Sequence, residues 1–146
     1  EVWACDMSAT AQEVAAKNAS IMGAAVQFQQ LNFLDPQQRD QLPVFDIIIS
    51  NPPYVPLKDK AQMNPNVLEH EPAMALFVPD NDPLVFYQAI ADFILSHLSP
   101  GGSIYTEIHE DLGTATAEIF QAAGYLTELK KDMQGKERMI RAERSR

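Results

Sequence analysis

Cysteine is nearly missing from this chain of 146 residues: Cys5 is the only one. No disulfide framework holds the fold, and a reducing cytosol fits. Basic residues are scarce over most of the length. Residues 1–129 hold four Lys or Arg against 17 Asp or Glu. Such a body repels a phosphate backbone, which argues against nucleic acid as a direct substrate. Long apolar runs are missing too. None approaches the ~20 residues of a membrane span, and no signal peptide opens the chain, so no membrane partner is expected. No internal repeat is visible.

What is present is enough apolar residue for one core, 46 % of the chain, which reads as globular rather than disordered. Residues 130–146 reverse the charge, with seven Lys or Arg against three acids. That tail reads as a solvated end rather than a nucleic-acid arm. The chain opens inside a strand-like run, Glu1-Val2-Trp3-Ala4-Cys5-Asp6, so a preceding segment is expected.

In order, Val2 to Cys5 reads as a strand ending at Asp6. Ser8 suits an N-cap, Ala9 to Ile21 a helix, and Gly23 its stop. Ala25 to Leu31 alternates as a second strand, followed by a loop from Asn32 to Pro36. Gln37 to Pro43 leaves room for one short turn. Phe45, Ile47, Ile48 and Ile49 then read as a strand buried on both faces. Pro52 and Pro53 lack an N–H and have fixed φ, so the strand must stop before them.

From Val55 to Asp82 no period holds, and proline and acids are frequent; a loop that long is usually functional or disordered. Pro83 suits a helix first turn, and Leu84, Phe86, Tyr87, Ile90, Phe93, Ile94 and Leu98 recur at helical spacing. Ser99-Pro100-Gly101-Gly102 ends that helix, and Ser103 to Ile108 is a strand. Leu112 to Ala123 is a helix stopped by Gly124. Tyr125 to Lys131 and Arg138 to Ala142 close the chain as an antiparallel hairpin around Gly135. The alternation predicts an α/β, mainly parallel, doubly wound sheet with an antiparallel C-terminal hairpin.

Three places could carry chemistry. Asp6, at the carboxyl end of a strand, could accept both hydroxyls of a ribose, or simply place charge at a helix N-terminus. Asn32 and Phe33 could bind and stack on an adenine, or be a turn residue beside a core ring. The most specific signal is Asn51-Pro52-Pro53-Tyr54. The Asn51 amide oxygen and the Pro52 carbonyl can both accept from one NH₂ group, and Tyr54 can lie on a flat substrate. Two acceptors pulling on a planar nitrogen favour pyramidal geometry and release its lone pair toward an electrophile. His70, His97 and His109 read as structural, with His70 and Glu71 inside a stretch that could cover a substrate. No metal ligands are expected.

An Asn-Pro-Pro-Tyr run after an apolar strand resembles the signature of S-adenosylmethionine-dependent amino-methyltransferases. Within that group the chain is similar to the protein-(glutamine-N5) methyltransferases that modify peptide-chain release factors. Glu71-Pro72-Ala73-Met74-Ala75-Leu76 resembles the family's Glu-Pro-x-x-Ala-Leu segment. Asp82-Pro83-Leu84 with Phe86-Tyr87 resembles the start of its next helix, where Gly is commoner than Pro83. Pro100-Gly101-Gly102 with Glu107-Ile108, and Asp132-Met133-Gln134-Gly135 with Arg138 to Ala142, resemble its later strands.

The resemblance implies a class I methyltransferase-like, Rossmann-type sheet, with residues 1–146 as part of a catalytic domain. Asp6 would bind the ribose of S-adenosylmethionine, and Asn32 and Phe33 its adenine. Asn51 would contact donor and substrate. Asn51, Pro52, Pro53 and Tyr54 would hold a release-factor glutamine, and methyl transfer would be a direct in-line displacement. The family's glycine-rich donor loop, its helical N-terminal domain and the sheet's first strand have no counterpart in these residues. Two sheet edges would thus be exposed, through which copies could pair. Two other readings are an adenine amino-methyltransferase, which would need a flipped base and a basic groove, and a non-catalytic binding module.

Overall fold

The computed structural model describes residues 1–63, 65–70 and 72–144. Glu71 and the side chain of His70 lie outside the described residues. The chain divides into two compact units, Glu1–Pro43 and Val44–Arg146.

The first unit is a β-α-β turn of chain. Strand β1 (Val2–Asp6) pairs in parallel with β2 (Val26–Gln30), in register from Val2 opposite Val26 to Asp6 opposite Gln30. Helix α1 (Ala9–Met22) joins them. The Ser8 hydroxyl accepts from the Ala11 N–H at 3.2 Å, satisfying one of the donors left open at a helix start. Gly23 closes the helix at φ 64°. A short helix, α2 (Pro36–Arg39), follows; the Asp35 carboxylate accepts from Gln37 N–H at 2.9 Å and Pro36 supplies the first-turn φ. Leu31, Arg39 and Leu42 are buried here. The Arg39 guanidinium donates to the Phe33 carbonyl at 3.2 Å and lies 5.8 Å from the Phe33 ring centroid.

The second unit carries a four-stranded sheet. Its strands are β3 (Phe45–Ser50), then, past a small pair to be described below, β6 (Leu98–Glu107), β7 (Tyr125–Lys131) and β8 (Glu137–Arg144). The order is β3-β6-β8-β7, with β3 parallel to β6 and β8 antiparallel to both its neighbours. The expected closing hairpin is therefore present, but this sheet is mixed rather than mainly parallel: only β3 with β6 is a parallel pairing, because β8 returns between β6 and β7. Helices α5 (Val85–His97) and α6 (Gly113–Ala122) bring Tyr87, Ile90, Phe93, Ile94 and Phe120 into a core with Ile104, Ile108 and Ile140. Each such apolar side chain contributes about 1.5–3 kcal/mol when fully buried. The Tyr125 hydroxyl donates to the Ile94 carbonyl at 2.7 Å, fastening α5 to the sheet. His97 is buried and stacked on Phe93 at 4.2 Å, a structural placement. Among the described residues no helix is long and apolar enough to cross a membrane.

Four further expectations change. The strand β3 is not buried on both faces: among the described residues it pairs only with β6, and Ile47 and Ile49 are 62 % and 81 % exposed. An apolar run alone does not distinguish a covered strand from an open edge. Second, residues 55–82 are not patternless. They form β4 (Val55–Pro56) and β5 (Phe77–Val78), paired in parallel, with a 3₁₀ turn Leu57–Gln62, α3 (Pro65–His70) and α4 (Ala73–Leu76) between them. Such elements are too short to show a period. Third, α5 begins at Val85 rather than at Pro83.

Fourth, Pro100-Gly101-Gly102 does not separate helix from strand but lies inside β6. Phe45 is opposite Leu98 while Ile47 is opposite Ser103, so β6 spends three extra residues there. Gly101 takes φ 83°, and a Cβ on Gly102 would stand 2.8 Å from the Asp46 carbonyl oxygen. Only glycine fits both demands.

Candidate functional site

The two proline-flanked acceptors follow directly from β3. Asn51 is exposed, Pro52 buried, and Pro53 and Tyr54 half-buried. Pairing of Ser50 with Thr106 sets this loop beside the carboxyl end of β6, whose last residue is Glu107. The Tyr54 hydroxyl donates to Glu107 Oε1 at 2.5 Å, a short bond to a carboxylate. The His109 ring meets the Tyr54 ring edge-on at 6.1 Å and 72°.

Glu107 is itself well held. Its carbonyl accepts from the Tyr87 hydroxyl and from the Thr106 hydroxyl, each at 3.1 Å. On the other side it pairs with Met139 of β8, and Ile108 N–H donates to the Arg138 carbonyl at 2.9 Å. Burial, then the bond to Glu107, pushes the Tyr54 phenol up to about 12. Burial also pushes the Tyr87 phenol up. Both are donors, not bases, at neutral pH.

Beyond the strand, Glu110 receives Lys136 at 2.7 Å and Arg138 at 3.2 Å, and Arg138 reaches Asp132 at 3.6 Å. The hydrogen bond from Lys136 holds the Glu110 carboxyl below its usual range. Such exposed pairs contribute little stability, and here they tie the hairpin turn to the end of β6.

In the first unit, Asp6 and Asn32 stand at the carboxyl ends of two paired parallel strands, Asn32 two residues past the partner of Asp6. Asp6 is exposed, and its Oδ1 accepts from Ser8 N–H at 2.7 Å. The Asn32 side-chain oxygen accepts from Leu34 N–H at 3.1 Å, and Asn32 N–H donates to Gln38 Oε1 at 2.9 Å. Phe33 follows, braced by Arg39. An exposed carboxylate, an amide and a ring at neighbouring strand ends fit the ribose and base of a nucleoside-bearing donor. The site residues thus gather in two groups: Asp6, Asn32 and Phe33 in the first unit, and Asn51, Pro52, Pro53 and Tyr54 in the second.

Glu107 and Tyr87 were not expected at the site. The signal available was an acid beside the carboxyl end of the strand read as Ser103 to Ile108, the end where loops carry function. Nothing in the sequence says which phenol that carboxylate receives.

A β-α-β unit with polar strand ends, and a mixed sheet closed by a C-terminal antiparallel hairpin, define the class I methyltransferase fold. The methyltransferase of Pyrococcus furiosus matches with a TM-score of 0.65 at 18 % identity, over 99 % of this chain and 64 % of that one. The release factor-specific protein-(glutamine-N5) methyltransferase of Alicyclobacillus acidocaldarius matches with a TM-score of 0.53 at 19 % identity, over 99 % and 80 %.

By sequence, the chain is a relative of the release factor glutamine methyltransferases. It is 43 % identical over 141 residues to that of Flavobacterium psychrophilum, covering 96 % of this chain and 49 % of the other. It is 39 % identical over 145 residues to that of Bacteroides thetaiotaomicron, covering 99 % and 52 %. The chain spans about half the length of these relatives. No family model matches it.

Proposed function

We propose that these residues are part of the catalytic domain of an S-adenosylmethionine-dependent enzyme that methylates a glutamine side-chain amide nitrogen in peptide-chain release factors. The observation that carries this is the Asn51–Tyr54 loop, set at the carboxyl end of β3 with its tyrosine anchored on β6, in a chain 43 % identical to a release factor glutamine methyltransferase. The acidic body suits a protein substrate better than a nucleic acid.

In this reading Asp6 holds the donor's ribose, Asn32 and Phe33 its adenine, and Asn51 faces both donor and substrate. The donor, when bound, supplies an electrophilic methyl group. The Asn51 amide oxygen and the Pro52 carbonyl accept the two hydrogens of the substrate NH₂. That draws positive charge onto their side of the nitrogen and turns its lone pair away from resonance with the carbonyl. The Tyr54 ring packs beside the amide plane and fixes the line of approach. The methylated nitrogen then sheds a proton to water, so no dedicated base is required. A cytoplasmic setting, and pairing of copies through open sheet edges, belong to the same proposal.

Asn51→Ala in the complete gene product tests it. Asn51 is exposed, so stability should stay within about 0.5 kcal/mol. Methyl transfer to a purified release factor, read by mass spectrometry of the glutamine peptide, should fall by about a hundredfold or more. Near-normal turnover would remove Asn51 from the mechanism. A methyl found on adenine of an added oligonucleotide, and none on glutamine, would replace the substrate.

A further inference from the structure

We infer that Glu107 is a positioning residue for the substrate amide, acting through Tyr54; this rests on the glutamine-methylating reading above. A tyrosine ring on a loop has two side-chain torsions to fix, and packing on one side leaves the ring free to tilt. Here the free end is fixed. The hydroxyl donates to Glu107 Oε1 at 2.5 Å, and the His109 ring abuts the Tyr54 ring from another direction.

The anchor is rigid because Glu107 ends an interior strand. Its neighbour Thr106 pairs with Ser50 on one side and Ile140 on the other. Two hydroxyls, from Tyr87 and Thr106, converge on the Glu107 carbonyl. A side chain seated on a locked strand transmits its position to whatever it holds. A purely packing role would be served as well by an apolar residue, with no half-buried carboxylate to solvate. The raised Tyr54 phenol fits the same geometry: the pair stays a protonated phenol on a carboxylate and cannot serve as the base.

The test is a double-mutant cycle in the complete gene product, with donor and a purified release factor. Glu107→Ala and Tyr54→Phe should each lower kcat by about tenfold or more, since small misplacements of a bound group are costly in rate. KM for the release factor and donor affinity should change little. The double variant should be no slower than Tyr54→Phe alone. Glu107→Gln, whose amide oxygen still accepts from the phenol, should restore kcat to within about threefold.

Alkaline titration at 295 nm supplies a readout independent of substrate. One of the late-titrating phenols should be lost in Tyr54→Phe and should titrate earlier in Glu107→Ala, while those of Tyr87 and Tyr125 remain. If Glu107→Ala folds poorly, the Gln and Phe variants carry the comparison. Additive losses in the cycle, or wild-type kcat in Glu107→Ala or Tyr54→Phe, would overturn the inference while leaving the methyltransferase reading intact. A wild-type enzyme that places no methyl on glutamine would instead overturn that reading, and the role given to Glu107 with it.

Discussion

Gly102→Ala should loosen the seam between β3 and β6. A Cβ at this position would meet the Asp46 carbonyl oxygen at 2.8 Å and the Leu98 side chain at 2.8 and 3.0 Å. The first contact is with backbone, so it can be relieved only by moving β3. The second is with a side chain that is 5 % exposed and has no open space to enter. Forcing one methyl into such a place costs about 1–3 kcal/mol. Near 2 kcal/mol, the Tm of a chain this size should fall by about 4–8 °C. The strain falls on the register shift that precedes Ile47, and the loop Asn51–Tyr54 hangs from the same strand. Urea unfolding gives the free energy, and amide exchange along β3 locates the damage. A variant within about 0.5 kcal/mol of the parent, with β3 exchange unchanged, would show that the close approach at Gly102 is not tight.

Ser8→Ala removes the hydroxyl that caps α1 and should cost about 1 kcal/mol, read by chemical denaturation of the first unit's helix signal. Stability should also fall as pH rises from about 10 to about 12. Unfolded phenols release their protons near 10, whereas folded Tyr54 keeps its proton up to about 12. The folded state therefore binds more protons in that window, and its advantage, complete below 10, is lost through it. Tyr54→Phe should make the slope of unfolding free energy against pH shallower there, the raised phenols of Tyr87 and Tyr125 keeping the remainder; an unchanged slope would refute the assignment.

Much of this fold was legible because its signals are local. Ser8 and Gly23 bracket α1 as their chemistry requires, and the connection at Asp132–Lys136 is too short for anything but an antiparallel return. The asparagine-proline loop was legible as well, since two prolines force a stop wherever they fall. The failures share a cause. The coverage of β3, the bulge at Gly101–Gly102 and the pairing of β4 with β5 all depend on a second strand distant in sequence. Ile49 is as apolar as Ile48, yet one is exposed and the other half-buried. Glu107 was visible only as an acid near the end of a strand, and its tie to Tyr54 spans 53 residues; no periodicity reports such a tie.

Strand order also has a bearing on synthesis. The strand β8, made after both of its neighbours, is inserted between β6 and β7 rather than added at the rim. Until residues 137–144 have left the ribosome, β6 has a partner on one side only, and its free edge can recruit the wrong strand. The tyrosine's anchor at the tip of β6 thus becomes rigid only after β8 has been made. A nascent chain holds the whole Asn51–Tyr54 sequence long before it holds a working clamp.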